Sequence, residues 1–129
     1  MHARDNMAVA RDVQAPPTHD TVIEAATLLL AMLADGTRLR LAAQLLDGER
    51  DVTALTEAVG AARPAVSQHL GKLRLAGLVR VRRDGRRQVY ALADAHVRRL
   101  VTEALYTADH RVSHRPTHHD PSRTVPTPR

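Results

Sequence analysis

The stretch DVTALTEAVGAARPAVSQHLGKLRLAGLVRVRRDGRRQVYAL, residues 51–92, changes its hydrophobic period partway along, and this restricts the fold more than any other feature. Val52, Leu55 and Val59 recur at helical spacing, with Thr53 as the expected N-cap and Gly60 where a helix-ending residue belongs. Pro64 suits the first turn of a second helix, where its missing N–H leaves no bond unmade. In that helix, expected over residues 64–76, Val66, Leu70, Leu73 and Gly77 fall on one narrow arc at spacings of four, three and four. Gly60, Ala61 and Ala62 form the tight turn between the two, so the unit reads as a helix-turn-helix. From Leu78 the period drops to two, and residues 78–83 and 87–92 alternate around Asp84-Gly85, a strong hairpin signal. Helix, turn, helix and ribbon predict a mainly α fold with a small β-hairpin, a winged helix-turn-helix.

Charge gives this unit a partner. Residues 63–87 hold eight basic side chains against Asp84 alone, a net +7, although the whole chain carries only +5. Basicity is therefore confined to the second helix and the hairpin, the footprint expected on phosphate. At 100° per residue, Gln68 and Lys72 lie about 200° and 240° from the core direction, and Ser67, Gly71 and Arg74 between roughly 80° and 140°. Short polar groups beside a glycine can approach a groove floor, and Gln pairs with adenine edges. The candidate contacts to double-stranded operator DNA are Arg63, Ser67, Gln68, Lys72, Arg74, Arg82, Arg83, Arg86 and Arg87. A charge run alone would be read as a solvated face; the helix-turn-helix and the Arg-tipped hairpin favour DNA. His69, about 60° from the core arc, reads as a flank residue rather than a ligand or base reader.

The rest of the chain supports one domain with tails, at residues 18–110, flanked by an arm at 1–17 and a His/Pro-rich tail at 111–129. Thr21-Val-Ile-Glu24 has the form of a capping box opening a helix that carries Ile23, Ala26, Leu30 and Leu33. That helix is apolar around much of its girth, so part of it is expected to meet a second subunit. Asp35 is the expected cap of the next helix, with Leu39, Ala42, Leu45 and Leu46 inward and Asp47-Gly48 as its end. A last helix is expected over residues 94–110, capped by Asp94 and striped with Val97, Leu100, Val101, Ala104, Leu105 and Ala108. There is no Phe, Trp or Cys, so the core is aliphatic and neither a disulfide nor a thiolate metal site can form. The longest apolar run is too short to span a bilayer and no secretory pattern opens the chain, so a cytoplasmic location without membrane contact is expected.

The C-terminal part carries a second signal. His96, His110, His114, His118 and His119 are five of the chain's eight histidines, and Asp109 and Asp120 lie among them. Imidazole and carboxylate without thiolate suit nickel, cobalt or zinc. His96 and His110, 14 residues apart, stand roughly 21 Å from each other on one helix, so one helix cannot chelate with both. Two such helices antiparallel across a two-fold axis would bring Asp94 and His96 of one protomer near His110 of the other. The plainer reading is a cap at Asp94 and a solvated polar tail; the clustering argues for ligands.

LADGTRLRLAAQL, followed by LTEAVGAARPAVSQHLGKLRLAGLVRVRRDGRRQVYAL, resembles the ArsR/SmtB family of bacterial metal-responsive repressors over about residues 20–110. Gly36 departs from the proline that many members have there, which weakens a helix start. The resemblance implies a homodimer whose second motif helix enters the major groove. Asp94-x-His96 followed by His110 resembles the family's interhelical metal site, but Thr107 stands where its best-known zinc and nickel versions have another histidine. The set His96, Asp109-His110 and His118-His119 instead resembles the family's nickel/cobalt ligand pattern, with Asp109 in the place of a Glu and His114 as a spare donor. The implied function is a repressor that holds a pseudo-palindromic operator and releases it on binding Ni²⁺ or Co²⁺, governing metal efflux. The alternatives are a Zn²⁺ sensor, a family repressor without a working metal site, or a non-specific DNA-binding protein with a metal-storage tail. Nothing supplies a base, nucleophile and substrate pocket together, so an enzyme is not expected.

Overall fold

In the computed structural model, residues 14–114 are described, and His118 and His119 therefore lie outside them. Five helices and three strands follow in order: α1 (Asp20–Leu33), α2 (Gly36–Gln44), a 3-10 turn (Leu45–Asp47), β1 (Arg50–Asp51), α3 (Val52–Val59), α4 (Arg63–Leu75), β2 (Val79–Asp84), β3 (Arg87–Leu92) and α5 (Ala95–Ser113). Helices α3 and α4 meet at Gly60, whose left-handed φ of 67° reverses the chain at no cost in Cβ strain. Strands β2 and β3 pair antiparallel from Val79↔Leu92 to Asp84↔Arg87. Helix, tight turn, helix and hairpin make a winged helix-turn-helix.

The core is aliphatic and is built from every helix. Leu41, Leu45, Leu55, Val66, Leu70, Leu73, Leu78 and Val101 are fully buried. The expected arc of α4 is confirmed by Val66, Leu70 and Leu73. Gly77 is not part of it, since α4 ends at Leu75 with Ala76 as its C-cap. Leu41, which the helical pattern passed over, is buried along with Ala42 and Leu45 because α2 turns one face to α3 and α4.

Several local expectations are corrected. Asp51, not Thr53, caps α3: its Oδ1 accepts from the Ala54 N–H at 2.8 Å. A carboxylate three residues ahead of Ala54 competes better for the N-terminal amides than the exposed Thr53, whose hydroxyl accepts from Arg63 instead. The capping box at Thr21 is absent; α1 begins at Asp20, and Thr21 Oγ1 lies 2.9 Å from His19 Nδ1. Helix α1 turns Leu29, Met32 and Leu33 to the core and leaves Ile23 and Leu30 half exposed, because a helix apolar all round has no single stripe for periodicity to select. The hairpin loop is Gly85-Arg86 rather than Asp84-Gly85: Asp84 still pairs with Arg87, and Gly85 takes φ 63° at the first loop position. A third strand, β1, too short to carry a period, adds to the sheet in the order β1-β3-β2. Helix α5 runs on to Ser113, past the expected end at His110. The expected caps at Asp35 and Asp94 are present, accepting from the Arg38 and Val97 amides.

The corrected cap is directly testable. Asp51→Ala should cost about 1 kcal/mol or more of unfolding free energy, and Thr53→Ala within about 0.5 kcal/mol of nothing. Leu70→Ala should cost about 2–5 kcal/mol. Urea unfolding followed by circular dichroism measures all three.

A candidate nucleic-acid interface and metal-ligand face

Burial of Val66, Leu70 and Leu73 fixes the rotation of α4 about its axis, and Ser67, Gln68, Lys72 and Arg74 are thereby exposed together. A polar clasp holds the middle of the helix. Arg38 donates from Nε to the Met32 carbonyl at 2.5 Å, and its Nη1 lies 3.2 Å from His69 Nδ1. Asp35 stands 3.9 Å from the same ring nitrogen. An Arg group only donates, so in this contact Nδ1 is the acceptor. His69 is a half-buried flank residue, as its place on the helical wheel indicates. Its partners on α2 were invisible in the sequence, lying some thirty residues away.

On the hairpin the arginines divide into two groups. Arg82 donates from Nε to Glu49 at 2.7 Å, and Arg87 donates from Nε to Asp51 at 2.9 Å. Arg83 and Arg86 form no ion pair among the described residues and line, with Thr53, Arg63, Arg87 and Gln88, a cleft of about 220 Å³ between wing and α3. Glu49 and Asp51 precede residues 63–87 in sequence but join them in space. They lower the net charge of the patch from +7 to +5, a neutralisation that no linear window could reveal.

Asp51 serves two elements at once, one oxygen capping α3 and the other taking Arg87 from β3. The Ala54 amide and, after it, Arg87 hold its carboxyl below the usual carboxylate range. The hydrogen bond from Arg82 does the same for Glu49, and the Arg38 amide for Asp35.

Of the proposed metal ligands, Asp94, His96, Asp109 and His110 are described; they lie on or beside α5 and are exposed. Asp94 spends one oxygen on the Val97 amide at 3.0 Å. His96 Nδ1 lies 2.8 Å from Arg99 Nη2 and accepts from it. At 100° per residue His96, His110 and His114 share a strip about 40° wide opposite Val97 and Val101, whereas Asp109 sits about 100° round from His110. The His110 and His114 rings are 4.4 Å apart. Among the described residues no three His, Asp or Glu side chains gather closely enough to hold an ion. The donor set fits a borderline divalent cation in chemistry, with nitrogen and oxygen donors exposed and unburdened by burial. The described residues of one protomer do not close a site around it.

An aliphatic-cored winged helix-turn-helix with a basic second helix and wing has the form of a DNA-binding regulator. The model of bacterial regulatory proteins of the arsR family matches residues 35–81. The transcriptional regulator KmtR of Mycobacterium tuberculosis H37Rv is 50% identical over 88 residues, 68% of each chain. The repressor SmtB of the same strain is 38% identical over 104 residues, 81% of this chain and 76% of its own. A homodimeric winged helix-turn-helix domain of Mycobacterium bovis, Mb0332, described as a possible ArsR-family regulator, superposes with a TM-score of 0.69 at 32% identity, over 81% of this chain and all of that one. The chain belongs to the arsR family of bacterial regulatory proteins. No helix among the described residues is long and apolar enough to cross a membrane.

The depressed carboxyls set an acid limit on stability. A group whose pKa is lowered by folding stabilises fully above its unfolded value and loses that contribution as pH falls through the folded one. The melting temperature should therefore decline on acidification below about pH 4. Asp51→Asn should make that decline shallower, as calorimetry across pH 3–6 would record.

Proposed function

We propose that the protein is a homodimeric repressor that binds operator DNA through α4 and the wing and releases it on binding nickel or cobalt. The observation that carries this reading is the placement of the ligand candidates on α5. His96 and His110 share the solvent side of one helix, yet stand roughly 21 Å apart along it. A second, antiparallel α5 would bring the partner's His110 to His96, which makes ion binding a function of dimer geometry.

Apolar surface supports the dimer. Ile23, Leu28 and Leu30 on α1, and Tyr106 and Val112 on α5, are half to two-thirds exposed in one protomer. Their partner surface is expected to be the same surface on a second copy, as a two-fold interface requires. The neighbouring Mb0332 domain is homodimeric.

A cation held by His96, Asp109 and His110 would supply a cross-link between the two α5 helices. The chain's own part is to convert that bridge into a changed distance between two reading helices. Ion binding can shift the dimer only by its difference in affinity for the operator-bound and released geometries. His96, Asp109, His110 and the tail residues His118 and His119 form the proposed nickel/cobalt set, with Asp94 alongside. Asp109 is the least well placed, both by its position around the helix and by its shorter arm than Glu. Regulation of metal efflux follows as the simplest use of such a release.

At the DNA, Gln68 and Ser67 are assigned to base edges, with Lys72, Arg74, Arg63, Arg83 and Arg86 on phosphate. Arg82 and Arg87 are weaker candidates, since each already has a carboxylate partner. Arg86→Ala should weaken binding to all sequences alike and flatten the salt dependence by about one unit. Arg82→Ala should change that slope less. Gln68→Ala should cost roughly 1–3 kcal/mol on the cognate operator and little on random DNA. Fluorescence anisotropy at several salt concentrations separates these cases.

The tail is tested by deleting residues 115–129, which leaves α5 whole. Operator affinity should persist, while more nickel or cobalt should be needed for release. An unchanged release curve would remove His118 and His119 from the set and make zinc on the interhelical ligands the better reading. His96→Ala should abolish release in either background.

A further inference from the structure

We propose that His110 and His114 form a two-imidazole chelate within a single subunit, a first landing site for a late transition-metal dication. This assigns a ligand role to His114, which the interhelical set does not use, and it rests on the metal-responsive reading above.

Geometry carries the assignment. His110 is in the last turn of α5 and His114, one helical turn on, is its C-cap; both side chains are exposed. Neither ring is hydrogen-bonded to another described residue, in contrast to His96, which Arg99 engages. Their centroids lie 4.4 Å apart with the planes tilted by 57°. Two imidazoles bound side by side to one ion, with metal–nitrogen bonds of about 2.0–2.1 Å, place their centroids about 4.5–5.2 Å apart. The observed pair is within a small side-chain rotation of that spacing.

Position on the helix adds a second reason. The C-terminal end of a helix carries partial negative charge from its unbonded carbonyls, so a cation held there is stabilised. Two neutral nitrogen donors suit Ni²⁺, Co²⁺, Zn²⁺ and Cu²⁺ and do little for Mg²⁺ or Ca²⁺, which favour oxygen. A chelate with two donors leaves several coordination positions open. Those are the positions that the partner's His96 or the tail histidines would fill, so an ion captured by one subunit would then recruit the rest of the site.

The spacing also answers the departure at Thr107. With Thr107 rather than a histidine one turn before His110, the neighbouring imidazole comes instead from the C-terminal side, one turn further on.

The test uses the full chain and Ni²⁺ alone, with affinity read by competition against a chromophoric chelator and helicity by circular dichroism. His110→Ala and His114→Ala should each weaken Ni²⁺ binding roughly tenfold or more, since losing either arm removes the effective concentration of the other. The double variant should be within about twofold of the weaker single one, because a chelate is broken only once. Adding Ser113→His to His114→Ala should restore affinity, since it returns a ring to the same side of the helix. Val112→His, about 200° from His110, should not. Wild-type Ni²⁺ affinity in His114→Ala, with helicity unchanged, overturns the proposal and leaves the rings as a mere stacking pair. If the loaded wild-type protein stays on its operator, the repressor-release reading fails while the chelate stands.

Discussion

Burial of one face of α4 is the constraint on which the remainder depends. Val66, Leu70 and Leu73 have no exposed surface, and removing any of them would open a hole at the centre of an aliphatic core that contains no aromatic ring larger than Tyr90. Close packing makes that face unforgiving of rotation. Once it is fixed, the side chains on the far side point outward as a set. In the proposed complex, recognition would be a by-product of packing: the same three residues that hold the fold also set the direction of Gln68.

The wing is positioned by different physics. Its two strands are held by a backbone ladder and joined to the helix pair through β1 and the carboxylate of Asp51. Surface ion pairs contribute little energy individually. Their value here is orientational: Arg82 is tied to Glu49, and Arg87, beside the loop, to Asp51, while Arg83 and Arg86 form no ion pair among the described residues.

Most of the architecture was legible in the sequence because helices and strands declare themselves by period, and the period changes cleanly near Leu78. The α4 arc, the hairpin, and the caps at Asp35 and Asp94 followed from local rules. What escaped was decided by tertiary contact. Thr53 also carries a capping side chain, but the carboxylate of Asp51 holds the Ala54 amide more strongly and is fixed by Arg87 of β3 as well. Ile23 and Leu30 were placed inward because α1 is apolar on nearly every side. The Glu49–Arg82 pair links residues 33 apart, which no motif encodes. For the candidate metal face, the histidines and their spread along α5 are read from the sequence, but the nearness of the His110 and His114 rings needed coordinates.

The clasp of Arg38 on His69 and on the Met32 carbonyl has a mechanical consequence. It joins the end of α1, whose outer surface is apolar and unburied, to the midpoint of α4 through one guanidinium. The end of α1 and the middle of α4 are thus not independent: a displacement of one would have to break this contact or be felt by the other.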